Sequence, residues 1–242
     1  MLEAAIAAIR KRRPKRIVVF TGAGISAESG IPTFRGPGGL WRNFRSEDLA
    51  TPQAFAGDPK LVWEWYEWRR GLVREAQPNA AHGAIARLEE VLGSVSVVTQ
   101  NVDGLHARAG SRDLIELHGN LFRVRCTGEG DVRDATAPFG DVPPRCACGA
   151  LLRPDVVWFG EMLPAGAMER AAELIRDADL LLVIGTSGIV YPAAGLVAVH
   201  RSLSIEINPQ ASGVSSACVF AIPMTAAAAT PQIVDAILEG QR

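Results

Sequence analysis

Arg16-Ile17-Val18-Val19-Phe20-Thr21-Gly22-Ala23-Gly24-Ile25-Ser26-Ala27 is the stretch on which the fold turns. Ile17 to Phe20 is an unbroken apolar run rich in β-branched residues, the pattern of a strand buried on both faces. Gly22-Ala23-Gly24 turns the chain out of it, and the G-x-G-x-x-A spacing matches a dinucleotide fingerprint. In that motif glycines admit a close backbone approach and the next helix N-terminus attracts a pyrophosphate. The match is weak alone, because turns after strands hold glycine for steric reasons too. An ordinary unit of this kind continues with a crossover helix, a second strand and an acidic residue for the ribose. Here Gly30, Pro32, Gly36, Pro37, Gly38 and Gly39 break the chain almost at once. A long loop, Ser29 to Arg45, is therefore expected over or beside the ligand, with Phe34, Arg35 and Trp41 as its large side chains.

Further strand-like runs follow at Val95 to Thr99, Asp113 to Leu117, Asp179 to Ile184, Leu203 to Ile207 and Cys218 to Ile222. Between and around them lie helical patterns at residues 2–12, 59–76, 80–92, 166–178 and 193–200, and a last helix that Pro231 opens at its first turn. Strands alternating with helices imply an α/β fold with a doubly wound parallel sheet. Ligands bind such sheets at the carboxyl ends of the strands. Thr99-Gln100-Asn101-Val102-Asp103 and Leu117-His118-Gly119 leave two such ends and bring an amide, a carboxylate and an imidazole together. For His118 the plain alternative is a strand-end histidine satisfied by backbone, and for His106 that reading is the better one.

The chain of 242 residues has a formal net charge of -1, with 48% apolar and 21% charged residues. That balance gives no electrostatic case for nucleic acid or a membrane surface. Residues 1–9 carry Glu3 and precede the basic cluster Arg10 to Arg16, the wrong order for a secretory signal, so a cytoplasmic location is expected. No apolar stretch nears the roughly 20 residues that span a bilayer. Residues 122–150 lose hydrophobic periodicity and hold Cys126, Cys146 and Cys148, which suits a metal module better than a disulfide framework. The helix at 59–76 is dense in aromatic residues, which by spacing read as core. Tyr66 and Arg69, three apart, could instead present a hydroxyl and a guanidinium to an anion.

Together these motifs resemble the sirtuins, NAD-dependent protein lysine deacylases. The resemblance rests on Gly22-Ala23-Gly24-Ile25-Ser26, Gly30-Ile31-Pro32-Thr33-Phe34-Arg35, Thr99 to His106, Leu117-His118-Gly119, Val156-Val157-Trp158-Phe159-Gly160-Glu161 and Gly185-Thr186-Ser187, six blocks in the family's order. It implies a Rossmann-like NAD-binding domain of residues 1–30, 77–121 and 151–242. A small domain of residues 31–76 and 122–150 would contain the cofactor loop, a helical segment and a zinc-ribbon-like module. NAD would lie along Gly22, Ala23, Gly24, Ser26, Ala27, Thr33, Phe34, Arg35 and Trp41, then Gln100, Asn101, Val102, Asp103 and His118, with its far end near Gly185, Thr186, Ser187, Asn208 and Ala226.

The resemblance also implies roles. The acyl oxygen would attack the ribose carbon as nicotinamide leaves, and His118 would take a proton from a ribose hydroxyl, which suits an imidazole. Asn101 would position ribose hydroxyls and water, and Asp103 the nicotinamide amide; the products would be nicotinamide, free lysine and O-acyl-ADP-ribose. Val157, Phe159 and Gly160 would pair with the substrate backbone. Tyr66 and Arg69 match the Tyr-x-x-Arg pair of the desuccinylase class, and Ala50 its small acyl-pocket residue, which implies succinyl, malonyl and also acetyl lysine as substrates. Protein substrates, a monomer and no nucleic acid or membrane partner are expected. The metal module departs from the family's two Cys-x-x-Cys pairs, since Glu129 stands in place of one cysteine. Three thiolates could hold a structural zinc with a carboxylate or water fourth, although closed sites favour four N or S ligands. Rival readings are a protein mono-ADP-ribosyltransferase, a non-enzymatic NAD-sensing module and, weakest, a dehydrogenase.

Overall fold

The computed structural model describes residues 1–33 and 45–241, so Phe34, Arg35 and Trp41 lie outside the described residues. The chain runs α1 (Leu2–Arg12), β1 (Ile17–Thr21), a 3-10 helix (Ala23–Ser29), α2 (Ser46–Leu49), α3 (Pro52–Gly57), α4 (Pro59–Glu75), α5 (Ala80–Leu92) and β2 (Val95–Thr99). It continues through α6 (Leu105–Ala109), β3 (Leu114–Glu116), β4 (Gly119–Cys126), β5 (Val132–Asp134), β6 (Leu152–Val156), α7 (Ala167–Asp177) and β7 (Leu180–Ile184). A second 3-10 helix (Ala193–Val199), β8 (Leu203–Ile207), a short 3-10 turn (Ser215–Ala217), β9 (Phe220–Ile222) and α8 (Ala226–Gly240) complete it.

Six strands form one parallel sheet in the order β3-β2-β1-β7-β8-β9. Every residue of β1, β2, β7 and β8 is buried, as two-sided cover by helices requires. The pleat sends Ile17, Val19, Leu180 and Leu182 to one face, against α1, α5 and α8. Val18, Phe20, Leu181 and Val183 go to the other, against α7 and Ala193–Val199. Each such side chain contributes about 1.5–3 kcal/mol of burial.

Strand order reverses between β1 and β7, and the topological switch point therefore lies where Thr21 and Ile184 end. The two turns that leave these ends touch: Gly22 N–H donates to Ile184 O (3.1 Å) and Gly24 N–H to Gly185 O (2.7 Å). A Cβ on Gly24 would stand 2.7 Å from Gly185 O, and one on Gly185 would stand 2.2 Å from Ile25 N. The glycines of the fingerprint are thus required by each other, beyond any ligand.

A three-stranded antiparallel sheet, β5-β4-β6, forms a second layer packed on α4. Trp63, Tyr66, Leu121, Val124, Leu152 and Trp158 share its core. Trp63 donates its indole N–H to Leu152 O (2.7 Å) and Arg70 donates to Leu121 O (2.6 Å) and Ala137 O (2.8 Å), which fastens helix to sheet. Gly119 has φ 81°, and a Cβ there would lie 2.1 Å from Asp155 O. Only glycine lets the chain cross from His118 into β4 at that point.

Three expectations shift. Pro231 sits inside α8, not at its first turn, because Ala226 and its neighbours already form the opening turn, capped by Glu28 through Thr225 Oγ1 (2.9 Å) and Ala227 N–H (2.7 Å). Residues 193–199 wind as a 3-10 helix between Pro192 and His200. The last strand begins at Phe220 after a short turn, not at Cys218. The strand Leu152–Val156 holds Pro154 inside it, and Val157 to Gly160 leave it as a turn. Among the described residues no helix is long and apolar enough to cross a membrane.

Candidate active site

A cavity of about 830 Å³ opens at the switch point, within the size range of ligand sites. Its floor is Gly22, Ala23 and Gly24 with Ala27 and Thr33; Gln100, Asn101, Val102 and His118 form one wall and Gly185, Thr186, Ser187 and Asn208 another. At the far end it reaches Ala50, Tyr66 and Arg69, beside Val157, Phe159 and Gly160. Two layers of the fold therefore meet across one continuous space.

His118 hangs at the end of β3, held by a bond from its Nδ1 to the carbonyl of Gln100 at 2.9 Å. A carbonyl only accepts, so Nδ1 carries the proton and Nε2 keeps its lone pair. Burial lowers the pKa of this imidazole from its ordinary value, against the opposing pull of the Gln100 carbonyl. The side chain is thereby kept as a neutral base. Its own carbonyl accepts from Val157 N–H (2.9 Å), so the base and the Val157–Gly160 turn are tied together.

The polar groups after β2 form a second network. Gln100 donates from its side chain to Thr186 Oγ1 (3.0 Å), spanning the crevice, and Asn208 Nδ2 donates to Thr186 O (2.8 Å). Asn101 N–H donates to Thr99 Oγ1 (3.0 Å) and its Nδ2 to Ser26 Oγ (3.3 Å). Ser26 in turn donates to Asp103 Oδ2 (2.7 Å), whose other oxygen accepts from Leu105 N–H (2.9 Å). Burial raises the Asp103 pKa, opposed by those donors and by the charge of Arg69. Ser26 and Asp103 stand behind Asn101 and do not line the cavity, nor does Ala226 at the start of α8. His106, read from sequence as satisfied by backbone at a strand end, is instead buried in α6, with Nε2 bonded to the Thr21 side-chain hydroxyl (3.0 Å), Nδ1 without a partner among the described residues, and its ring 4.9 Å from that of His82.

The far end of the cavity is set by α4. Tyr66 and Arg69 lie one turn apart, both buried, with the guanidinium 5.6 Å from the phenol ring and 4.7 Å from that of Trp65. Arg70, the next residue, points away to staple backbone carbonyls. Adjacent arginines in one sequence thus have opposite duties. Beyond Tyr66, Val157 N–H is engaged by His118 O, Trp158 N–H by Glu161 and Phe159 N–H by Ala50 O (2.9 Å).

Sequence reasoning found only the first residues of the loops after β7 and β8; further along them Ile189, Val190 and Tyr191, and Pro209 to Gly213, also line the cavity. Their only signal was position, following strand ends next to the switch point.

Away from the cavity, Cys126, Glu129, Cys146 and Cys148 converge, with ligand atoms all within 4.8 Å of one another. Cys126 and Cys148 sulfurs stand 3.4 Å apart, Cys146 Sγ and Glu129 Oε2 3.8 Å apart, spacings that suit the edges of a tetrahedron around zinc. Glu129 N–H, donating to Cys126 Sγ (3.4 Å), leads in pulling that thiol down to about 7. Arg133 donates to Cys146 Sγ (2.7 Å). A structural zinc fits this set, held by three thiolates and the Glu129 carboxylate.

Comparison with known proteins gives a family model, described as the Sir2 family, that matches residues 22–192. The chain is 56% identical over 199 residues to an NAD-dependent protein deacylase of Aquifex aeolicus, covering 80% of this chain and 83% of that protein. It is 51% identical over 227 residues to NAD-dependent protein deacylase 2 of Pyrobaculum aerophilum, covering 92% and 91%. Among solved structures, a Sir2 homologue in complex with NAD superposes with a TM-score of 0.91 at 45% identity, covering 99% of this chain and 95% of that one. A Sir2 complex with a p53 peptide and NAD superposes at 0.80 and 30% identity, covering 95% of each.

Proposed function

The chain belongs to the Sir2 family, and from that premise we propose an NAD-dependent protein-lysine deacylase with a preference for acidic acyl groups, succinyl and malonyl, and acetyl as a further substrate. One observation carries the reading. His118, held with its Nε2 lone pair available, lines a single cavity that runs from the Gly22–Gly24 floor to Ala50, Tyr66 and Arg69.

NAD, when bound, would supply an activated ribose carbon as electrophile and a ribose hydroxyl as the acceptor of the acyl group. The residues that would hold it are the glycine turn with Ser26, Ala27 and Thr33, the Gln100 to Asp103 segment, Gly185 to Ser187, Asn208 and Ala226; Phe34, Arg35 and Trp41 belong to the same proposal from sequence. His118 acts as general base at Nε2, and the Gln100 carbonyl fixes its tautomer and raises its basicity against burial. Asn101, anchored by Ser26 and Thr99, orients ribose hydroxyls and water. Asp103 is proposed from the resemblance to bind the nicotinamide amide; its carboxylate, set back from the cavity lining, braces Asn101 through Ser26. Val157, Phe159 and Gly160 pair with the peptide; with the first two N–H groups already engaged, their carbonyls are the natural acceptors.

The acyl preference rests on Arg69. Arg69 places a buried cation on the cavity beside Tyr66, and burial lowers its pKa from the ordinary value against the pull of Tyr66 and Asp103, so added negative charge there favours the guanidinium. A succinyl or malonyl carboxylate brings that negative charge, and Ala50 leaves room for it. The enzyme is proposed to act as a cytoplasmic monomer. The NAD-binding domain is proposed as residues 1–30, 77–121 and 151–242 and the small domain as 31–76 and 122–150. β6 extends the small sheet to Val156.

Product identity tests the reaction. With NAD and an acylated peptide, mass spectrometry should find deacylated peptide, nicotinamide and O-acyl-ADP-ribose in equal amounts. ADP-ribose attached to the peptide instead would favour the mono-ADP-ribosyltransferase reading.

A further inference from the structure

Trp158 lies within the Val157–Gly160 segment proposed to meet the substrate backbone, yet its side chain has no role in that pairing: it is 2% exposed and bonded to Tyr66. Its indole N–H donates to the Tyr66 hydroxyl at 2.9 Å. An indole nitrogen can only donate, so the Tyr66 oxygen is the acceptor and the phenol proton is left for another partner. Among the described residues the Tyr66 hydroxyl makes no other hydrogen bond. That proton is free to point into the cavity that Tyr66 and Arg69 both line.

The indole is itself held on three sides. Arg153 lies over its ring, 3.4 Å from guanidinium carbon to centroid, and makes a two-point bond to Glu161 at 2.5 and 2.9 Å. Glu161 also accepts the Trp158 backbone N–H (2.9 Å), and Phe55 packs on the ring at 5.3 Å. Burial would raise the Glu161 carboxyl, but the Arg153 bonds outweigh it and hold the group ionised. We infer that Trp158, clamped by Arg153 and Glu161, is a positioning residue for acyl selectivity: it fixes Tyr66 as a hydrogen-bond donor that, with Arg69, receives the carboxylate of an acidic acyl chain. The inference rests on the acidic-acyl reading above. The clamp explains how a phenol, able to donate or accept, is committed to the role that an anion needs.

The test is a double-mutant cycle on the ratio of succinyl to acetyl kcat/KM. Variants are Trp158→Phe, Tyr66→Phe and the pair; because Trp158→Phe opens a buried cavity, Trp158 is also replaced by 3-benzothienylalanine, which keeps the ring and exchanges N–H for sulfur. Each single change should lower the ratio about tenfold, the size expected for one aligned hydrogen bond. The pair should lower it no further than Tyr66→Phe alone, and the loss should lie mainly in KM for the succinyl peptide. Losses that add, or that fall equally on both peptides, would overturn the inference and leave Trp158 as packing only. A wild-type enzyme with no succinyl preference would overturn the acidic-acyl reading instead, and this inference with it; the wild-type arm separates the two.

Discussion

At the scale of the residue, the central fact is the orientation of His118. The Gln100 carbonyl decides which nitrogen is protonated, and burial decides that the ring is neutral. A base works in its deprotonated form, so activity is full above its pKa and lost as pH falls through it. Because that pKa lies below the ordinary 6.5, the acidic limb of kcat/KM should fall below about pH 6.5. A pH profile that already declines from pH 8 downward would contradict this. His118→Ala should remove turnover while calorimetry still finds NAD binding. At this scale the sequence was legible in motifs and silent in directions. His118 and Asn101, which line the cavity, and Asp103, which does not, were all singled out from two strand ends, whereas Arg69 facing the cavity and Arg70 stapling carbonyls differ only by a rotation of about 100° about a helix, which their shared chemistry does not announce.

The element is the scale at which residues acquire partners from far along the chain. The turn after β1 and the turn after β7 are glycine-bearing for one joint reason, since each fills the space a side chain on the other would take. That contact joins positions 24 and 185, and no local pattern shows it. Pro231 is misplaced by local reasoning for a similar cause: the opening turn of α8 is capped by Glu28, nearly two hundred residues earlier. The cysteine module has its own logic. With Glu129 as a carboxylate among three thiolates, zinc should be held more loosely than in a four-cysteine site. Fresh protein should carry about one zinc per chain, Glu129→Ala should lose it at lower chelator concentrations, and Glu129→Cys should retain it longer. Zinc near zero in all three, with unchanged melting, would mean that the module folds without metal.

At the scale of the whole molecule, buried histidines couple stability to pH. Burial, with a smaller contribution from His82, pushes His106 down to about 3, and burial pushes His82 down to about 4. Both folded pKa values lie below the unfolded value near 6.5, so the unfolded chain binds the extra protons as pH drops. Their stabilising contribution is complete above about pH 6.5 and is lost progressively as pH falls toward 4 and then 3. Melting temperature should therefore be flat from pH 8 to 7 and decline steadily below 6; a flat profile to pH 4.5 would contradict the assignment. The doubly wound sheet was legible because its strands are continuous apolar runs separated by amphipathic helices. The second sheet was not, since β4 is only half buried, β5 is three exposed residues and β6 holds Pro154 inside it. The cavity, which needs both layers, therefore had its NAD side read from motifs, including Gly185 to Ser187 and Asn208, while the rest of the loops after β7 and β8, Ile189 to Tyr191 and Pro209 to Gly213, was not read.

The central claim is that one cavity joins NAD chemistry at His118 to an acidic acyl group at Arg69. The direct measurement is kcat/KM on one peptide carrying acetyl, malonyl or succinyl lysine, with and without NAD, for the wild type and Arg69→Met. The account predicts NAD-dependent turnover of all three, with succinyl and malonyl favoured. In Arg69→Met the two acidic substrates should lose about a hundredfold while acetyl changes by less than about threefold, a difference of the size expected for one buried charge pair. Equal loss on all three peptides, or no advantage for the acidic ones in the wild type, would contradict it.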